Sequence, residues 1–222
     1  WAMFQAQRRR CPVVSDEQRR WIRFWSVVAG VSLLLAWGRF APFYQVLYAL
    51  PYFNTIRNPA KFTLVLNFAL VILFAYGLDG LWRHYVERGT ATGAGVVARL
   101  KQWWAQVRGF DRGFVVGCVV VLLVAGVAWL MFSAGRASFE KYLQTVQFDA
   151  GMARSIAGFS IRAAGLGVIL LLVAVAVVVV LLTGWFAVKR ARLAAVLVGL
   201  VLAVDLGTAN RPWIIYWDVQ QK

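Results

Sequence analysis

The sequence predicts an all-α fold, a polytopic integral membrane helix bundle of about five transmembrane helices with short interfacial helices. Three observations lead there. Hydrophobic residues make up 61% of the chain against 15% charged, with a mean hydropathy of +0.68, outside the range of soluble globular domains. The apolar stretches run near the roughly 20 residues that a helix needs to cross a hydrocarbon core. They lack the alternating polarity, over about 10 residues, that marks strands of a membrane barrel.

The elements follow in order. Residues 22–38 (IRFWSVVAGVSLLLAWG) read as the first span and 62–82 (FTLVLNFALVILFAYGLDGLW) as the second. Residues 114–133 form the third and 163–188 the fourth, whose core VILLLVAVAVVVVLLTGWFAV is β-branched but too long for a strand. The fifth, residues 193–209 (LAAVLVGLVLAVDLGTA), is near the lower limit of about 17 residues for a crossing. Residues 96–108 (VVARLKQWWAQVR) set Val96, Leu100, Trp103, Trp104 and Val107 opposite Arg99, Lys101, Gln102 and Arg108, an amphipathic helix expected to lie flat on the cytoplasmic leaflet. A second such helix, residues 138–148, sets Phe139, Tyr142, Leu143 and Val146 opposite Glu140, Lys141, Gln144 and Gln147. APFYQVLYAL could form a third, and GTATGAGV reads as a flexible joint. Residues 1–222 are expected to be one membrane domain cut from a longer protein, since WAMFQAQRRR has neither an initiator Met nor a signal peptide.

Cytoplasmic loops carry the excess of Lys and Arg. With five spans, 15 of the 24 cations fall on the side of the N-terminus and nine on the other. The N-terminus is therefore expected in the cytoplasm and the C-terminal RPWIIYWDVQQK outside. Trp21, Trp25, Trp37, Trp82, Trp129, Trp185, Trp213 and Trp217 fall at or near span ends, where indoles prefer the interface; Trp213 and Trp217 could also stack on a sugar or a lipid head. The net charge of +15 does not mark a nucleic-acid binder, because the basic residues divide between both membrane faces. Anionic headgroups of the lipid bilayer account for them better.

No cofactor is evident. One His and the absence of CxxC or HExxH spacing leave no metal site, and Cys11 and Cys118 are not placed to form a disulfide. His84 reads as an interfacial residue beside Trp82. There is no GxSxG, Walker loop or dinucleotide fingerprint.

Two carboxylates lie within spans, where a charge costs at least about 2.5 kcal/mol at the bilayer centre. Asp79 is one turn before Arg83, so an i,i+4 ion pair explains it. Asp205 could pair with Arg57, Lys61 or Arg162, as a structural ion pair or as a catalytic carboxylate. Asn67 suggests an interhelical hydrogen bond.

The entry to the second span, LPYFNTIRNPAKFTLVLNFALVILFAYGLDGL, carries Arg57, Pro59 and Lys61 ahead of a helix closing on Gly-Leu-Asp. This pattern resembles the YfhO-like bacterial membrane proteins, with Lys61 where Arg is commoner, and DLGTANRPWIIYW is similar to their final helix. Such proteins are similar to the C-fold glycosyltransferases, which take a sugar from a polyprenyl-phosphate carrier at the extracytoplasmic face. The resemblance covers about a third of the chain. It implies a bacterial inner-membrane location in the cell envelope and a lipid-linked sugar donor. Arg57, Lys61, Asn54 and Asn58 would bind the carrier phosphate, with Asp205, Asn210 and Arg211 in support. The catalytic acid of these enzymes stands in a loop ahead of this region, so the catalytic residue is expected outside this chain. Physically, Arg57 and Lys61 sit i,i+4 about Pro59, where a bidentate fork and a point charge could grip a phosphate. Alternatively both cations snorkel to the interface while Asn58 and Pro59 cap the helix. A transporter lined by Asp205 and the outer cations, or a non-catalytic membrane subunit, are the competing classes.

Overall fold

The structure, a computed structural model, describes residues 1–7, 14–38, 49, 51, 59–88, 95–107 and 109–211. Its described elements are helices, with no strand among the described residues. Four helical stretches are long and apolar enough to cross a membrane: Pro59–Glu87, Phe110–Ala134, Ala150–Leu182 and Val188–Asn210. The chain is a multi-pass helical membrane protein. It divides into two compact units, Trp1–Arg88 and Gly89–Lys222, and the division falls where GTATGAGV begins.

The first unit is a helical hairpin with a short helix laid on it. Helix α1, Ala2–Gln7, is followed by α2, Asp16–Ala36. Ser15 opens α2 with a capping box: its hydroxyl accepts from the Gln18 backbone N–H at 3.2 Å, and its own N–H donates to Gln18 Oε1 at 3.1 Å. Asp16 and Glu17 then place negative charge against the positive end of the helix dipole. A 3₁₀ turn, Pro59–Lys61, leads into α3, Phe62–Leu81, which continues as a π-helix over Trp82–Glu87.

Helices α2 and α3 run antiparallel over their full length. At one end Gln18 Nε2 donates to Asp79 Oδ2 at 3.3 Å, and at the other Gly38 abuts Pro59. Between them Ile22, Ala29, Ala69 and Leu73 are buried, with Trp25, Val28, Leu66 and Tyr76 packed around. The alanines matter because, with no hydrophobic drive between helices in lipid, close backbone approach supplies the packing energy. Helix α1 adds Ala2 and Ala6 to this core, and Arg23 Nε donates to the Ala6 carbonyl at 3.2 Å. The expected first span, residues 22–38, is the apolar part of α2. This helix is not among the four because Asp16, Glu17, Arg19, Arg20 and Arg23 crowd its first turns, yet it flanks a spanning helix from end to end.

The second unit holds α4, Val96–Gln106; α5, Phe110–Ala134; α6, Arg136–Thr145; α7, Ala150–Leu182; and α8, Ala191–Asn210. Helices α5 and α7 meet where Trp129 Nε1 donates to the Ile161 carbonyl at 3.1 Å. A Cβ on Gly165 would lie 2.9 Å from the same indole, so glycine makes the room. Trp129 is thus an interhelical donor. Between α6 and α7, Leu143 is buried with Ala153 and Ala157, and Phe139 and Ile156 pack against them. Of the expected apolar face, Tyr142 and Val146 are exposed, because only one side of α6 meets α7.

The fourth expected span, residues 163–188, is displaced toward the N-terminus in α7. Asp149 caps the helix by accepting from the Met152 N–H at 2.8 Å, and Gly184 (φ +69°) turns the chain just after Leu182. Asn67 is exposed on α3 and has no interhelical hydrogen bond among the described residues, contrary to expectation. It points away from the face of α3 that meets α2, which is lined by Ala69 and Leu73.

Gly38 joins two constraints: a positive φ of +57° and a Cβ position 2.7 Å from Pro59 Cγ. Gly38→Val is therefore expected to destabilise the hairpin by about 1–3 kcal/mol, read as a lower Tm in detergent. An unchanged Tm would refute this packing.

Candidate functional site

The residues expected to form a phosphate site divide between the two units. Asn54, Arg57 and Asn58 lie outside the described residues. Lys61 is described: it closes the Pro59–Lys61 turn and occupies the N-cap position of α3, exposed and in a helical conformation. No side chain caps this helix start; Thr63 Oγ1 instead donates to the Ala60 carbonyl. Lys61 forms no ion pair among the described residues. The helix start therefore combines an ammonium group with the partial positive charge of uncapped N–H groups.

Asp205, Asn210 and Arg211 stand at the far end of α8, in the second unit. Asp205 is exposed. Of its expected partners, Arg162 is described in the same unit, but its Nε donates to the Gly158 carbonyl on its own helix at 3.2 Å. The expected Asp205–Arg162 pair is absent among the described residues. Asn210 turns back too, its Nδ2 donating to the Leu206 carbonyl at 2.8 Å, and Thr208 Oγ1 donates to the Val204 carbonyl at 2.8 Å. Both side chains turn back onto helix carbonyls four residues earlier, the local bond open to Thr and Asn in a helix. Arg211 is exposed and places a cation at the negative end of the helix dipole.

The best-defined polar cluster lies in the first unit, where the expected i,i+4 pair is present: Arg83 Nε donates to Asp79 Oδ1 at 2.8 Å. The sequence did not reveal the third member. Gln18 donates across the hairpin to the other carboxylate oxygen, so Asp79 accepts from both helices. The available signal was the Ser-x-x-Gln spacing, Ser15 to Gln18, a capping-box signature that fixes where this side chain must be. Just beyond, His84 lies in the π-helix with its ring 4.6 Å from Tyr85, and its Nδ1 is buried without a hydrogen-bond partner among the described residues.

In the second unit, Arg99 was expected on the polar side of α4. Its Nε instead donates 2.9 Å to the carbonyl of buried Thr183, at the end of α7. The guanidinium satisfies a terminal carbonyl that the helix leaves open. The Arg190 guanidinium lies 4.3 Å over the Trp185 ring. Cys11 lies outside the described residues, while Cys118 is free within α5. No group of His, Cys, Asp and Glu among the described residues could hold a metal ion. Comparison with family models, curated proteins and solved structures gives no match.

Because Asp79 joins two helices whereas Arg83 reaches only its own, Asp79→Ala should destabilise the hairpin more than Arg83→Ala. A double-mutant cycle between Gln18 and Asp79 is expected to give a coupling of about 0.5–1 kcal/mol. Zero coupling would exclude the interhelical bond.

Proposed function

We propose that this chain is the membrane portion of a YfhO-like glycosyltransferase that uses a polyprenyl-phosphate-linked sugar at the extracytoplasmic face of a bacterial plasma membrane. The observation that carries the reading is Lys61, a cation at the opening turn of a membrane-spanning helix with no acidic partner among the described residues. An unneutralised ammonium at that level favours an anionic headgroup, and Arg57, i,i+4 from it across Pro59, would add a bidentate fork. Asn54 and Asn58 would supply amide donors from the same segment.

In this reading the chain positions the donor and does not break its bond. Arg57 and Lys61 hold the carrier phosphate at the rim and offset the charge that grows on it as the sugar leaves. The prenyl tail remains in the bilayer beside the helices. The carboxylate that would take the acceptor's proton is not among the residues assigned to this site.

Binding of polyprenyl phosphate against the uncharged polyprenol, with the protein in nanodiscs, tests the reading. The phosphate should bind more tightly. Lys61→Ala and Arg57→Ala should each weaken it about tenfold, corresponding to the loss of one charge-assisted hydrogen bond, and Lys61→Arg should restore most of the loss. Equal binding of alcohol and phosphate would overturn the assignment.

A further inference from the structure

Helix α4 and the turn joining α7 to α8 carry cations that neither the hairpin packing nor the proposed donor site uses. On α4, Val96, Arg99, Leu100, Trp103 and Val107 form the half-buried side, with Arg99 tied to the Thr183 carbonyl. The opposite stripe, Val97, Lys101 and Trp104 at i, i+4 and i+7, is exposed: Val97 at 67% and Trp104 at 40%. The Arg112 guanidinium lies 5.2 Å over the Trp104 ring, adding a second charge beside this indole.

The Arg99–Thr183 bond brings α4 to the end of α7, where the same composition recurs. Arg190 stacks on Trp185 and its Nη1 lies 3.4 Å from the Trp185 carbonyl. Around this fixed pair, Val188 and Leu193 are exposed aliphatic side chains, and Lys189 and Arg192 are exposed cations. Positive charge predominates. Asp111 is the single acidic residue between Glu87 and Glu140, and the sequence holds none between Asp149 and Asp205.

We propose that the outer stripe of α4 and the α7–α8 turn together form a docking surface for anionic phospholipid headgroups. An excess of positive charge complements phosphate, and exposed aliphatic and indole side chains at the end of membrane-spanning helices suit the headgroup boundary. A soluble acidic partner would match the charge but would not account for Val97, Val188 and Leu193 standing among the cations. The Arg99 bond gives the surface its rigidity, so that α4 meets the leaflet as part of the bundle.

The test uses the whole protein in nanodiscs of phosphatidylcholine with or without phosphatidylglycerol. Native mass spectrometry of the released protein should show phosphatidylglycerol enriched over phosphatidylcholine. Each of Lys101→Gln, Arg112→Gln, Lys189→Gln and Arg192→Gln should reduce the enrichment, by up to about fivefold per cation, and high salt should abolish it. Amide hydrogen exchange across residues 95–107 of the unaltered protein, which requires no variant to fold, should slow when phosphatidylglycerol is present. Equal retention of the two lipids, exchange insensitive to phosphatidylglycerol, or protection traced to a co-purified protein would each overturn the proposal.

Discussion

Hydrocarbon offers no hydrogen-bond partner to a peptide group, and the rest of the molecule follows from that constraint. Every N–H and C=O at membrane depth must be satisfied within its own helix, which explains the helical fold and the behaviour of its polar side chains. Ser26 donates to the Ile22 carbonyl at 2.6 Å, Thr208 to Val204, and Asn210 to Leu206, each turning back onto its own backbone. Where helices begin and end, the chain recruits outside groups: Ser15 and Asp149 at N-termini, and the Arg99 guanidinium at the end of α7.

The same solvent weakens the drive for helices to associate, since lipid covers an apolar side chain as well as another helix does. Contacts are consequently few and specific. In the first unit they are Ala29 and Ala69 at the hairpin seam and the Gln18–Asp79 bond at its end. In the second they are the Trp129 indole seated over Gly165 and the alanines of α7 against Leu143. Large side chains such as Leu64, Val71, Leu123 and Val196 stay exposed. In water they would form an aggregating patch, whereas in a bilayer they are the lipid-facing surface.

Much of this was legible in the sequence because membrane insertion is governed by length and hydropathy, both properties of a single segment. The apolar runs behind α3, α5, α7 and α8 announced themselves, as did the Asp79–Arg83 pair, whose partners are four residues apart. Boundaries set by capping were harder: α7 begins at Ala150 and ends at Leu182 because of Asp149 and Gly184, which break no hydropathy pattern. Partners distant in sequence were invisible. Nothing near Gln18 names Asp79, and nothing near Arg99 names Thr183. Of the candidate site, the sequence supplied cation type and spacing; it could not show that Arg162 and Asn210 are occupied by their own helix carbonyls. Arg57, Asn54 and Asn58 rest on the motif alone.

The central claim is that α3, the helix opening at Lys61, crosses the bilayer from end to end. Single cysteines at Lys61 and Glu87, in a background lacking Cys11 and Cys118, can be challenged with an impermeant maleimide from either side of sealed, oriented vesicles. The account predicts that one position reacts only from outside and the other only from within. Labelling of both from the same side would contradict it.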